Sequence, residues 1–479
     1  MKIKSKFKPS LAALFLALFL NHSGRAQSFT LYGVTEFGGA YNKGCVYKYS
    51  YPSGGQSVML NFNDTNGSTP RGYMILANDG NLYSQTSLGG TYNLGVLFCL
   101  NPKTNKDTVL INFGGPNGAT PLGGVFQASN GLIYGLTSAG GSAGKGICYS
   151  YDLSTKTQTI LFSFNDSNGA KPTGHFIEAT NGLLVGHTAL GGTYGNGTIF
   201  YYNINTGKDS VLVNFNGAAG KQPRGLMQAN NGLIYGTTYL GGDSNWGALY
   251  SYDLVSRTYS VVFSFSGKNG MYPSSDASAL LQATNGLIYG IAQMGGTNNN
   301  GLLYSYNLNT GKDSILIDFS SPGVPFGENP YATGYVQIPR SGILISPIDS
   351  GGANGLGTLI SYDIHTGNFV KLYDFSGVDG AYPTADLIVV ENHCSFSINL
   401  PTARVAPNPS ISGIITISGE NFEAINQVRV YNMTGERIYN GEFKNNTQID
   451  LSNQPKGMYL YMIVSKDGRQ LAQGKFVRQ

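Results

Sequence analysis

Among its 479 residues the chain has one Trp, four Cys and five His, and only 12% of it is charged, about half the usual share. Each shortage removes a class of function. Thirty Lys and Arg against 26 Asp and Glu leave a net charge of +4. Beyond the N-terminal head the basic residues form no run, so the basic stripe of a nucleic-acid binder is missing. Cys45, Cys99, Cys148 and Cys394 lack the spacing of zinc ligands. No G-x-S-x-G elbow stands on a strand-to-helix turn, as a serine hydrolase would need. Apart from a run of ten at residues 11–20, no segment is apolar enough to suggest a membrane-spanning helix.

Glycine is what the chain has in excess, 67 of 479 residues, and it is periodic. Gly-Gly, four residues, then Gly occurs seven times, with pairs starting at Gly38, Gly89, Gly140, Gly191, Gly241, Gly295 and Gly351. The steps are 51, 51, 51, 50, 54 and 56 residues. A Phe lies 24 residues after each pair, at Phe62, Phe113, Phe164, Phe215, Phe265, Phe319 and Phe375. A Pro follows eight residues later in six units: Pro70, Pro121, Pro172, Pro223, Pro273 and Pro383. One supersecondary unit is therefore built seven times.

The unit from Leu226 to Phe265 reads as four strands. LMQA ends in an Asn231-Gly232 turn, a pair that accepts positive φ at both positions and so suits a tight hairpin. LIYG is rich in β-formers. Gly241-Gly242 and Gly247 then reverse the chain. ALYSYDL alternates apolar and polar residues and ends on Asp253, which can start an Asx turn. YSVVFSF carries the in-phase Phe. The termini are out of phase with these units. The first begins in mid-repeat at Thr30-Leu31-Tyr32-Gly33, and Ala385 to Val390 at the other end is the strand it lacks. Seven complete sets exist only if the two ends pair. The expected fold is all-β: a seven-bladed β-propeller closed by its N- and C-terminal strands, followed by a small C-terminal β-sandwich. An open solenoid would instead need capping repeats.

This layout resembles kelch-type propellers, although Trp246 lies in a loop rather than at the kelch outer-strand position. It more closely resembles the tandem GloVer repeat of bacterial secreted proteins, whose LYGTT-x2-GG-x4-G-x-LY pattern is met by Leu233 through Tyr250. That resemblance implies fold and secreted context and carries no enzymatic activity with it.

Lys2, Lys4, Lys6 and Lys8 precede the apolar run at 11–20, and Gly24 and Ala26 stand before Gln27, so residues 1–26 read as a cleavable secretory signal peptide. The propeller is expected over 27–393, a linker over 394–403 and a second domain over 404–479. The last contains Pro407-Asn408-Pro409, VYNMTGE, IDLS, Gly457-Met458-Tyr459 and the basic end Lys475-Phe476-Val477-Arg478. In that order these elements resemble the C-terminal sorting domain of the Bacteroidetes type IX secretion system. The resemblance implies the type IX machinery as partner, export across the outer membrane, and release or surface attachment.

On a repeat fold a site should show as an asymmetry. His187 follows L-x-x-G, where the fifth unit has Thr237, and His175 follows Pro172-x-Gly174; both are expected to face solvent or sit satisfied in the core, and no metal or cofactor is expected. Asn63 to Gly67 and Asn165 to Gly169 look faintly like calcium loops but lack the spaced acids and terminal Glu, so they read as Asx turns. The three propeller cysteines fall in different repeats at different offsets, and read as buried free thiols or at most one bridge. Unit five inserts residues 274–277, and unit six departs most, over 320–342. Insertions in repeats often mark the binding face, which makes Phe326 and Tyr331 candidates to stack on a sugar. No catalytic residues are assigned: LMQA, VFQA and LLQA carry Gln where an enzyme would need converging carboxylates, Glu178 and Asp386 excepted. The leading expectation is a non-enzymatic secreted or surface protein that binds glycan, peptide or matrix. A glycoside hydrolase or lyase, and a purely architectural surface protein, are the alternatives.

Overall fold

A computed structural model describes residues 27–273, 280–319, 330, 334–392, 402–420, 426–443, 446–465 and 470–479. The signal segment, most of the linker, Cys394, the insertion at 274–277, Phe326 and Tyr331 lie outside them. Contacts divide the chain into Ser28–Asn392 and a C-terminal unit from His393 onward.

The described elements are antiparallel strands without a helix. Seven sheets precede residue 393. The fifth shows the plan: Lys221–Gln228, Ile234–Leu240, Ala248–Asp253 and Thr258–Ser264, paired in sequence order. In the second, fourth and sixth sheets the first strand is broken in two. The first sheet takes its first strand from the far end of the repeats. Phe29–Phe37 pairs with Ala381–Glu391, setting Thr30 opposite Val390 and Val34 opposite Thr384. Asn392 N–H donates to Ser28 O at 2.9 Å.

Each apolar cluster is shared by two successive sheets. Val34, Val46 and Phe62 of the first pack with Met74, Leu82 and Phe98 of the second. The series ends with Ile345, Leu359 and Phe375 of the seventh against Leu31, Tyr47 and Leu387 of the first. All seven in-phase Phe side chains are buried. The in-phase Pro packs across the same junction: a Cβ on Gly247 would lie 2.7 Å from Pro273 Cδ of the next repeat. Pro330 takes this role against Gly301, eleven residues after Phe319 rather than eight, so the sixth unit's long loop conceals a repeat position that spacing missed.

The Gly of LIYG is required by its cross-strand neighbour. Gly236 pairs with Tyr250, and a Cβ there would stand 2.3 Å from the Tyr250 hydroxyl. Where the pair is Ser84–Phe98 or Ser346–Ile360, a smaller partner accompanies the serine. The Asn-Gly turns differ from the expected two-residue hairpin. Asn231 is not in the positive-φ region whereas Gly232 has φ +83°, Gly232 N–H donates to Ala229 O, and Ala229 N–H to Leu233 O. This is a three-residue loop with a glycine bulge.

The C-terminal unit has a three-stranded and a four-stranded sheet sharing one core of Ile415, Ile417, Val428, Val430, Tyr461 and Phe476 among others. The PNP segment fastens the last strand: Asn408 Oδ1 accepts Val477 N–H at 3.0 Å, and Ser410 N–H donates to Val477 O at 2.8 Å.

Candidate functional site

The segment around each in-phase Pro supplies the most distinctive side chains. In six repeats the residue before this Pro is in the left-handed region: Thr69, Thr120, Lys171, Gln222, Tyr272 and Tyr382, with φ between 49° and 56°. None is Gly, and left-handed backbone costs an ordinary residue on the order of 1 kcal/mol or more. The conformation is held because each N–H bonds a carbonyl of the preceding repeat, as Lys171 N–H does to Lys145 O at 3.0 Å and Gln222 N–H to Asn196 O at 2.8 Å. One strained position thus recurs with a different side chain each time.

In the second to fifth sheets these segments surround a cavity of about 220 Å³ lined by Arg71, Leu122, Lys171, Thr173, Ala189, Leu190, Gln222 and Arg224. Three of these are cationic and none is acidic. Arg71 is engaged outside the cavity lining, its Nε donating to Glu36 Oε1 at 2.9 Å. Arg224 Nη1 donates to Thr173 Oγ1 at 3.2 Å, and its guanidinium lies 5.5 Å from the centre of the Tyr239 ring. Its Nε is buried and has no hydrogen-bond partner among the described residues. Tyr239 stacks on Tyr272 with centroids 4.9 Å apart, and Trp246 meets Tyr272 edge-on at 5.3 Å.

Beside this cavity lies a buried polar chain. His187, 1% exposed, would be struck at 2.2 Å by a Cβ on Gly174. His175 packs edge-on against Tyr73 with centroids 4.4 Å apart. Burial holds both imidazoles neutral, at about 3, with Arg224 and His175 adding to the effect at His187. Burial, and then the charge of Asp386, push the Tyr73 hydroxyl well up. The expectation that these histidines face solvent or sit satisfied is corrected: both are buried, and Nδ1 of each lacks a partner among the described residues.

Other sequence candidates have structural roles. Gln127, Gln228, Gln282, Gln337 and Glu178 link neighbouring repeats. Each accepts a backbone N–H from the hairpin turn of the preceding repeat, at Asn78, Thr180, Asn230, Thr284 and Ser129 respectively. Asn63 Oδ1 accepts N–H from Thr65 and Asn66 while Asp64 pairs with Lys43, the Asx-turn reading. Cys45, Cys99 and Cys148 are free, and burial raises the Cys45 thiol to about 12. Among the described residues no three His, Cys, Asp or Glu come together in a metal-binding group. Sequence spacing missed the cavity because its residues come from several repeats; the one visible signal was Arg at the Pro-x-Gly position, at Arg71 and Arg224.

Residues 21–192 and 175–398 match the Gloeobacter/Verrucomicrobia repeat. The chain belongs to that repeat family. Residues 404–477 match the secretion system C-terminal sorting domain, so this member carries a type IX sorting tail and is a secreted or cell-surface protein. No curated protein matches. Two solved structures, candidate 6-phosphogluconolactonases by name, share the fold. That of Bacteroides fragilis is 13% identical, covering 77% of this chain and 100% of its own, with TM-score 0.52. That of Bacteroides uniformis is 11% identical, covering 76% and 100%, with TM-score 0.51. PorZ, a surface component of the type IX secretion system of Porphyromonas gingivalis, aligns at 14% identity and TM-score 0.43 over 94% of this chain. The chain spans 58% of the length of PorZ. No helix among the described residues is long and apolar enough to cross a membrane.

Proposed function

We propose that the chain is a bacterial surface or secreted binding protein: a closed seven-bladed propeller, delivered through an N-terminal signal peptide and the type IX machinery, that captures an extracellular ligand without transforming it. Seven sheets, seven shared clusters and the pairing of Phe29–Phe37 with Ala381–Glu391 support a closed ring. The observation that carries the binding reading is the strained residue before the in-phase Pro of six repeats. It has one backbone conformation and six positions filled by Thr, Thr, Lys, Gln, Tyr and Tyr. A fold that needed only the turn would place Gly there; varied side chains held in a costly conformation support selection for what they contact. The sorting tail supports a partner met outside the cell.

Glycan-array binding of the exported protein, with hydrolysis followed on the same panel, tests the reading. Saturable capture without turnover is expected. Product release from any captured glycan overturns the non-enzymatic assignment, and absence of capture from glycan, peptide and matrix panels overturns binding.

A further inference from the structure

We propose, resting on the ligand-binding reading above, that the cavity beside Arg224 is a subsite for the oxyanion of an acidic saccharide. The anion is a carboxylate or sulfate carried on one sugar ring, with Arg224 and Lys171 as its charge partners.

Charge gives the first reason. None of the described residues lining the cavity is acidic, and Glu36 already neutralises Arg71. Lys171 and Arg224 are left as cations facing one small space. Two such charges suit a single anionic group. They are too few for a polyanionic backbone, whose capture needs a run of phosphate contacts.

The state of Arg224 gives the second. Its Nε is buried with no partner among the described residues, while Nη1 is tied to Thr173. A desolvated charged donor without an acceptor is costly. An oxyanion held in the cavity offsets that cost through its charge, and the part of the guanidinium that lines the cavity matches a carboxylate or sulfate edge. Thr173 and the ring of Tyr239 hold the fork in place before a ligand arrives, which reduces the ordering cost of binding.

Position and size give the third. Of the six left-handed residues before the in-phase Pro, Lys171 is the charged one, and it lines this cavity. At about 220 Å³ the space is below the range of pockets for drug-sized ligands and suits one ring or its anionic substituent. Behind the lining, Arg224 rests on the ring of Tyr239, itself stacked on Tyr272, which steadies the guanidinium on that side.

Isothermal titration of the full exported chain with galacturonate, galactose 6-sulfate, galactose and sodium sulfate tests this. Galacturonate or galactose 6-sulfate is expected to bind saturably and galactose not; which of the two acids binds identifies the anion. Arg224→Gln and Lys171→Gln should each weaken that binding at least tenfold. Lys171 is exposed, so its substitution leaves the fold intact, and melting curves check the same for Arg224→Gln. Sodium sulfate binding as tightly as the sugar acids overturns the saccharide assignment. Absence of saturable binding by any anion, or binding unchanged in both variants, overturns the subsite. Glycan capture on the array that persists in both variants leaves the general binding reading standing and removes this one.

Discussion

Gln228 Oε1 accepts the backbone N–H of Thr180 at 2.8 Å, joining two repeats at their hairpin turns. The same amide donates from Nε2 to Gly232 O at 2.8 Å in its own turn, so one side chain clamps both hairpins. Gln282 repeats the arrangement with Asn230 and Gly286. Gln228→Leu leaves Thr180 N–H without this acceptor and should cost about 1 kcal/mol. Gln228→Glu should cost less than Gln228→Leu: it keeps an acceptor for Thr180 N–H, as Glu178 does for Ser129 at the preceding junction, but loses the donor to Gly232 O. Denaturant melts of both variants check this; equal stability of Gln228→Leu and the parent would show that the clamp contributes nothing.

The Gly236–Tyr250 pair predicts a compensated double substitution. Gly236→Ser places atoms into the Tyr250 ring and should destabilise by about 1–3 kcal/mol. Adding Tyr250→Phe should recover part of the loss, because Ser84 and Phe98 already coexist at the same cross-strand position. Tyr250→Phe alone should be close to neutral, as its buried hydroxyl has no partner among the described residues. A double-mutant cycle measures the coupling; strict additivity would contradict the steric account.

Stability should fall with acid through the buried histidines. An unfolded His titrates near 6.5, whereas burial holds His175 and His187 at about 3. The unfolded chain therefore takes up protons that the folded one refuses. Their contribution is whole above about pH 6.5 and is lost as pH drops from there toward 3, on the order of 2 kcal/mol per histidine by pH 5. His187→Gln, which copies the residue at the equivalent position Gln85, should flatten melting temperature against pH between 6.5 and 5. A variant with the parent's slope would remove His187 from the cause.

Closure of the first sheet by the last repeat strand predicts damage at a distance in sequence. Leu387 is 5% exposed and shares a cluster with Leu31, Tyr47 and Phe375. Leu387→Asp buries a charge there and should cost several kcal/mol. Hydrogen exchange should then rise in residues 29–35 as well as in 381–391, the strands it joins. Exchange confined to 381–391 would refute joint stability of the two ends.

Deletion of residues 404–479 should leave the protein in the periplasm, read by cell fractionation, because the segment matches the sorting domain. Asn408→Ala, which frees Val477 from its side-chain acceptor, should reduce export less severely. Normal secretion of the truncated chain would overturn the assignment.

The primary structure alone determined the number of units, their strand order, the in-phase Phe and Pro and the pairing of the two termini, because turns and strand alternation are local and recur in register with the chain. It also marked the C-terminal unit through PNP and KFVR, though their attachment through Asn408 and Val477 appears only in three dimensions. Tertiary structure decided everything that depends on contact between repeats. Gln228 and Thr180 are 48 residues apart, so nothing local distinguishes a clamp from a missing carboxylate. Pro330 fills the repeat's Pro position at an offset spacing could not align. Lys171 and Arg224 belong to different repeats and acquire meaning only where packing places them around one desolvated space. Burial, not residue type, set the state of His175 and His187.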